Sequence, residues 1–341
     1  CSTHRIAGRT GGGKNMTDTR TKIRKTVYTL VVVFWIFAPL YLNNYWTDVL
    51  NNVAIYAILG LSLNIILGYG GMFHMGHAAF YAIGAYTTAI INTTYGIPVL
   101  WLMPVAGISA GLFALVVAKP IIHLRGDYLL IVTIGMVEIV RIALINNVFG
   151  ITGGANGIFG ISSPSIFGYS INGIVQTGQF FYLITAFLAI TIVLFYLLEH
   201  SRFGRALKYL CSDEIAAEGS GINTAGYKLA AFVVGAFWAG MTGTLYASKI
   251  TFISPESFSF WESVVMFMIV ILGGSGSIPG VLLGAILIIG LPEVFQELQQ
   301  YRLLIFGLAL VVMMVFRPQG ILPPKPHEYP LESLDESEVT L

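Results

Sequence analysis

The sequence contains few charged residues, and this shortage limits the kind of protein it can encode. Only 10% of its 341 residues are Asp, Glu, Lys or Arg, against about 25% in an average soluble domain. Hydrophobic residues make up 56%. The net charge of +1 says nothing about nucleic acid, because the distribution of charge matters more than its sum. The composition indicates a protein of the lipid bilayer, and no nucleic-acid partner is expected.

Cysteine is also scarce. The only two are Cys1, in a basic leader, and Cys211, in a polar loop. Their separation argues against a structural disulfide. His74 and His77 are three residues apart, but no Cys or carboxylate nearby could act as a third metal ligand. We therefore predict no metal site.

The phosphate-binding loop of ATPases is missing as well. No GxxxxGK[ST] sequence occurs, and GGGKN at 11–15 lacks both the glycine spacing and the Ser or Thr. We therefore expect that the chain binds no cofactor, catalyses no ATP hydrolysis and is not an enzyme.

Long apolar segments dominate the rest of the chain. A helix needs about 20 residues to cross the hydrocarbon core of a bilayer. Ten spans are predicted, at 27–42, 49–68, 72–92, 99–118, 128–149, 179–198, 228–248, 263–273, 281–298 and 303–316. Segment 263–273 is short and precedes GGSGSIPG, so a broken or re-entrant helix is the alternative there. The predicted fold class is all-α, a polytopic membrane protein with about ten transmembrane helices, some short or broken.

Lys and Arg residues predict the orientation of these spans. With the N-terminus inside, fifteen of them lie in inside segments and two, Lys249 and Arg302, in outside segments. Such a bias is typical of cytosolic loops. Both termini are thus predicted to be cytosolic, and the uncharged loop 150–178 is predicted to face outward.

The two ends of the chain are polar. Residues 1–26 form a basic leader, predicted to be cytosolic. Residues 1–15 lack the apolar core of a signal peptide; we interpret them as vector or upstream sequence before an initiator Met16, with a lipidated Cys1 as the alternative. Residues 325–341 are acidic and predicted to be disordered.

A polar insert interrupts the apolar spans at 199–228. Eight of the 20 charged residues between Thr26 and Phe316 lie in it. Ser201 can cap a first short helix, and Ser212 or Asp213 a second one, which the glycines at 219 and 221 would end. Two short amphipathic helices suit docking against another protein, although a solvated connector is the alternative.

Two ionisable residues fall within the fifth predicted span. Glu138 and Arg141 are three residues apart, on one helix face. Charges in lipid are costly, so the pair is expected to be buried and to face each other. It either lines or gates a translocation path or pins helix packing.

Three further polar features are candidates for such a path. Asn64 can form a hydrogen bond across helices. His74 and His77 are expected to bond to backbone where a helix breaks, and a role of His77 in the path is the alternative. Thr152, Gly153 and Gly154 offer backbone donors that suit the carboxylate of a zwitterion, or form a plain turn.

Several motifs, in order, resemble a known family. They are GLSLNIILGYGGMFHMGHAAFYAIGAY (60–86), LRGDYLLIVTIGMVEIVR (124–141), TGGANGI (152–158), GRALKYLCSDEIAAEGSGIN (204–223), SPESFSFWES (254–263), VILGGSGSIPGVLLGA (270–285) and FRPQGILP (316–323). The chain is similar, over roughly residues 27–324, to permease subunits of bacterial branched-chain amino-acid ABC importers, the LivM/LivH family, and more to the LivM type.

The resemblance implies a function and a set of partners. It implies a permease domain over 27–324 in the bacterial inner membrane, with a LivH-like permease, two cytosolic ATPase subunits that use ATP, and a solute-binding protein. In the loop 199–228 it implies coupling residues: Gly204, Arg205, Ala206, Asp213 and Glu214. Leucine, isoleucine and valine are the implied substrates. A urea or short-amide importer is the alternative, and an ion-gradient secondary transporter is a rival from another class.

Overall fold

The structure is a computed structural model that describes residues 35, 37–124, 126–166, 169–170, 173, 177–294, 301, 304, 307–308, 311–312, 315–316 and 320–323. The leader 1–26 and the tail 325–341 lie outside the described residues, as do more than half of the predicted span 27–42 and half of the predicted span 303–316.

Helices account for most of the described chain. We number them α1 (Asn44–Asn64), α2 (His77–Tyr95), α3 (Val99–Ile121), α4 (Asp127–Ile145), α5 (Thr177–His200), α6 (Arg202–Ser212), α7 (Glu214–Gly219), α8 (Thr224–Ile250), α9 (Phe260–Gly273), α10 (Ile278–Ala285) and α11 (Leu291–Val294). Single π-helical turns extend α1 over Ile65–Tyr69 and join α10 to α11 over Ile286–Gly290.

Strands are confined to two-residue pieces. They are β1 (Ile158–Phe159), β2 (Ser165–Ile166), β3 (Tyr169–Ser170) and β4 (Phe252–Ile253), and β1 pairs with β4 and β2 with β3, both antiparallel. Short 3-10 turns lie at Val148–Gly150, Gly154–Asn156 and Pro255–Phe258. The predicted all-α class is confirmed.

Six helical stretches of the described chain are long and apolar enough to cross a membrane. They are Asn44–Tyr69, Val99–Ile121, Asp127–Ile145, Thr177–His200, Thr224–Ile250 and Pro255–Gly273, and a shorter apolar stretch covers Ile278–Val294. All seven coincide with predicted spans. The protein is therefore a multi-pass membrane protein.

Two predicted spans differ in detail from the structure. The span predicted at 72–92 begins only at His77, because Gly71 has a positive φ of 64° and the Met75 amide donates to Thr133 Oγ1 of α4. Helix α9 has 14 residues, which span about 21 Å at 1.5 Å per residue. That is shorter than a bilayer core of about 30 Å, and the stretch reaches 19 residues only together with the turn Pro255–Phe258; the broken or re-entrant helix stays an alternative.

Helix α8 lies at the centre of the bundle and packs through glycines. A Cβ atom added at Gly84 of α2 would lie 2.2 Å from the Gly240 carbonyl oxygen, and one at Gly240 would lie 2.5 Å from the Ala106 oxygen of α3. One added at Gly235 would lie 2.9 Å from the Ser62 oxygen of α1. Small residues at these positions let the helices approach closely.

Helix ends gather at two opposite ends of the bundle. At one end, Lys249 of α8 pairs with Asp48 of α1 at 2.8 Å. At the other, which we call the α6–α7 end, Tyr69 after α1 contacts Glu199 of α5. This grouping is what spans that cross in alternate directions require.

Candidate functional site

The polar insert folds into the two short helices predicted for it. Ser201 Oγ accepts a hydrogen bond from the Gly204 amide and caps α6. Asp213 Oδ1 accepts from the amides of Ile215 and Ala216, at 2.9 and 3.0 Å, and caps α7. Of the two predicted caps for the second helix, the structure therefore uses Asp213.

Helix α6 is held tightly against the spans. Leu207 and Leu210 are buried, and a Cβ atom at Gly204 would lie 2.3 Å from the Leu198 oxygen of α5. Lys208 Nζ lies 2.7 Å from Glu199 Oε1, and Tyr69 donates to Glu199 Oε2 at 3.1 Å. Movement of α6 would therefore be passed directly to α5 and to the π-helical turn after α1.

Helix α7 is joined to α8 by an ion pair. Glu214 Oε1 lies 2.6 Å from Lys228 Nζ. Both residues line a cavity of about 200 Å³ that α6 and α7 share with Gly70–Phe73 and the start of α4. Cys211 lies on the rim of this cavity, and partial burial raises the pKa of its thiol.

The remaining surface of α6 and α7 is not covered by the part of the chain that the structure describes. Exposed charged residues include Arg205, whose Nη1 donates to the His200 oxygen, and Asp213. Beside them lie two apolar side chains, Tyr209 and Ile215, of which Ile215 is 75% exposed. Ala206 is half-buried. An exposed apolar side chain among charged ones is typical of a protein-docking surface.

Asn64 and His77 lie where α1, α2 and the turn before α10 meet. Asn64 Oδ1 accepts from the Gly276 amide at 2.8 Å, and Ser62 Oγ lies 2.7 Å from His77 Nε2. Both residues are buried. Asn64 was expected to bond across helices; its partner is instead the backbone of the turn between α9 and α10. In this conformation these two side chains hold packed elements together, and their role in a path stays a prediction.

His74 is buried among aromatic rings. It stacks on Phe80 at 5.5 Å between ring centroids and meets Phe232 edge-on at 5.0 Å. Neither ring nitrogen has a hydrogen-bond partner within the described part of the chain. The expected bonding to backbone is therefore wrong for this histidine, and also for His77, whose Nε2 meets the Ser62 hydroxyl.

Glu138 and Arg141 meet as predicted. Arg141 Nε donates to Glu138 Oε2 at 3.0 Å. The expectation that the pair is buried is wrong for this chain, because their side chains are 25% (Arg141) and 36% (Glu138) exposed. Arg141 Nη1 also reaches Glu256 Oε1 at 3.0 Å. Sequence reasoning missed Glu256, since it lies 115 residues further on; the acid in SPESFSFWES was the available signal.

The run Thr152–Gly154 forms a turn at the end opposite α6–α7. Thr152 Oγ1 donates to the Leu144 oxygen at 2.9 Å and thereby satisfies a carbonyl at the end of α4. Gly153 and Gly154 have φ values of 72° and 62°. Of the two open alternatives, the structure contains the turn, and binding of a carboxylate there stays a prediction.

Comparison with known proteins places these features in a family. The model of the family described as branched-chain amino acid transport system / permease component matches residues 45–316. LivM of Escherichia coli, a high-affinity branched-chain amino acid transport permease, is 38% identical over 327 residues, which cover 90% of this chain and 76% of that protein.

More distant relatives include both kinds of permease. LivH of E. coli is 28% identical over 293 residues, or 78% of this chain and 91% of LivH. The probable LivM of Methanocaldococcus jannaschii is 24% identical over 322 residues, or 80% and 91%. No solved structure matches the chain. Since the family model spans most of the bundle and α6–α7, this chain belongs to the family of branched-chain amino acid transport permease components.

Proposed function

We propose that this protein is a transmembrane subunit of an ATP-binding-cassette importer that moves leucine, isoleucine and valine into a bacterial cell. The observation that carries the proposal is the docked α6–α7 pair, with its exposed face of charged and apolar residues. Its partners are a LivH-like permease, two cytosolic ATPase subunits and a solute-binding protein. The α6–α7 end then faces the cytosol.

The contacts around Glu199 suggest how ATP would drive transport. Closure of the ATPase pair would push α6 and α7 toward the membrane. Lys208, Glu199 and Tyr69 connect α6 to the π-helical turn after α1, and Asn64, at the start of that turn, holds the turn before α10. The protein's own role is then to be stable in two arrangements that nucleotide favours differently.

The docking assignment can be tested at Ile215. Replacing this exposed residue by Glu places a charge in the contact surface and should abolish co-purification of the ATPase subunits while the protein still inserts in the membrane. Ile151→Glu is the matched control, because Ile151 is also exposed but lies at the opposite end. If Ile215→Glu retains the ATPase as fully as the control does, α6–α7 is not the surface that binds the ATPase.

The substrate requires a separate measurement. Uptake of labelled leucine by cells that carry the complete importer should be suppressed by excess isoleucine or valine and unaffected by excess urea. Suppression by urea or short amides, but not by valine, would assign the protein to the alternative substrate class.

A further inference from the structure

Helix α4 is the least covered of the six candidate spans. Only 22% of its most apolar stretch is buried, against 33–83% in the other five. Its buried residues, Leu129, Thr133, Met136 and Val137, share one face. The opposite face is exposed and apolar; it consists of Tyr128, Ile131, Gly135, Ile139 and Ile142.

Three charged side chains lie along one edge of that face. Arg141 bonds both Glu138 and Glu256, so two carboxylates share one guanidinium, with a formal charge of −1. Glu256 is 70% exposed. Glu138 lies seven residues before the end of α4, about 10 Å inside the helix at 1.5 Å per residue. Glu138 therefore lies within the span, where exposure of charge to lipid is strongly unfavourable, whereas Arg141 lies four residues before the end of α4 and Glu256 lies in the turn before α9.

The surroundings of the cluster favour a protein as its cover. Ile139, next to Glu138, is 70% exposed, and Gly135 has open space around its Cβ position. An apolar face with a small residue and a charged edge suits packing against another transmembrane helix, whose polar groups can pair with the edge.

The net charge of the cluster indicates which kind of protein covers this face. A second copy of this chain, packed by two-fold symmetry, would bring one −1 cluster toward another, and like charges repel strongly where water is excluded. A similar but non-identical chain with a cation or donor at the matching place would complement the cluster.

We propose that the exposed face of α4, with Glu138, Arg141 and Glu256 at its edge, is the surface that meets the second permease subunit. That partner supplies a cationic or hydrogen-bond-donating group to Glu256. The inference rests on the proposed function for the identity of the partner. The assignment of the face comes from burial and charge in this chain.

Site-specific photo-cross-linking tests the assignment. A photoreactive amino acid is introduced, one position at a time, at Ile139 of α4, Val116 of α3 and Val193 of α5, all of which are exposed. The importer is expressed with a tagged second permease, irradiated in membranes and analysed for a cross-linked band. We expect that band from position 139 and not from positions 116 and 193.

The other outcomes are distinguishable. If the second permease co-purifies but cross-links at 116 or 193, or at none of the three positions, the face is wrong and the proposed function stands. Cross-linking of 139 to another copy of this chain overturns the charge argument and assigns a homodimer. If no second permease co-purifies with any variant, the proposed function fails and takes this inference with it.

A charge exchange gives an independent measurement. Glu256→Lys reverses the sign of the edge and should abolish co-purification of the second permease, whereas Glu256→Gln, which keeps the shape of the side chain, should preserve it. Undiminished recovery with Glu256→Lys would show that no partner group faces this residue.

Discussion

A single glycine determines how closely α6 approaches the membrane spans. A Cβ atom at Gly204 would lie 2.3 Å from the Leu198 oxygen and 2.6 Å from the Glu199 oxygen. Both are backbone atoms at the end of α5 and cannot rotate away. The distance between the proposed dock and the span therefore depends on the absence of one methyl group.

We predict that Gly204→Ala abolishes transport while the protein still inserts in the membrane. In an exposed helix this change would stabilise the helix by about 1 kcal/mol; here the clash must displace α6. Gly219→Ala, in α7, is the control, because nothing lies within 4 Å of its Cβ position. Leucine uptake and membrane abundance would be measured for both variants. Equal uptake by the two would show that α6 can shift without consequence.

The charged cluster on α4 predicts unequal effects of its members. Arg141→Gln removes the cation that Glu138 and Glu256 share, whereas Glu138→Gln leaves the Arg141–Glu256 pair intact at 3.0 Å. Arg141→Gln should therefore lower the thermal unfolding temperature of the purified complex more than Glu138→Gln does. Because these side chains are partly exposed, we expect less than the roughly 3–5 kcal/mol of a fully buried pair. Equal shifts for both variants would contradict the shared geometry.

At the scale of elements, local signals in the sequence predicted local structure well. The cap at Ser201 and the end of α7 at Gly219 follow from short-range chemistry and were predicted from residue types alone. Asp213 was one of two predicted caps for α7. The late start of α2 was missed, because it depends on the Met75 amide reaching Thr133, 58 residues away. Glu256 was missed for the same reason. Contacts between distant segments leave no trace in hydrophobic periodicity.

Two substitutions can separate the role of Asp213 as the cap of α7 from a role of its charge in binding the ATPase. Asp213→Ala removes the acceptor of two amide hydrogen bonds, which costs about 1 kcal/mol at a helix N-terminus, and should make the chain around α7 more sensitive to limited proteolysis. Asp213→Asn keeps a hydrogen-bond acceptor, so the chain around α7 should stay resistant to proteolysis. If both variants are equally resistant, the cap does not hold α7. If Asn preserves the helix but abolishes ATPase binding, the negative charge itself makes the contact.

At the scale of the whole molecule, the grouping of helix ends predicts the sidedness of the protein. Composition and the placement of Lys and Arg predicted the spans and their orientation, but not how the helices pack, since α8 approaches the backbone of α1, α2 and α3 through its own glycines, Gly235, Gly240 and Gly243. The sequence shows that those residues are small, but it does not show which residues of other helices they contact. The two ends of the bundle should face opposite sides of the membrane.

Sidedness can be measured with single cysteines in a Cys211-free background. Cysteine at Ser163 should react with a membrane-impermeant thiol reagent in intact cells, because 150–178 is expected to face outward. Cysteine at Ser201 should react only after the membrane is opened. Labelling of both positions in intact cells would show that α5, between them, does not cross the bilayer.

The most direct test of the central claim is transport by the purified importer in lipid vesicles. Solute-binding protein and leucine are placed on one side of the vesicle membrane. Leucine should then accumulate only when ATP is on the side that the α6–α7 end faces, which is the side from which a cysteine at Ser201 is labelled. Ile215→Glu should abolish that accumulation. Accumulation driven by an ion gradient without nucleotide, or unchanged transport by Ile215→Glu, would contradict the account.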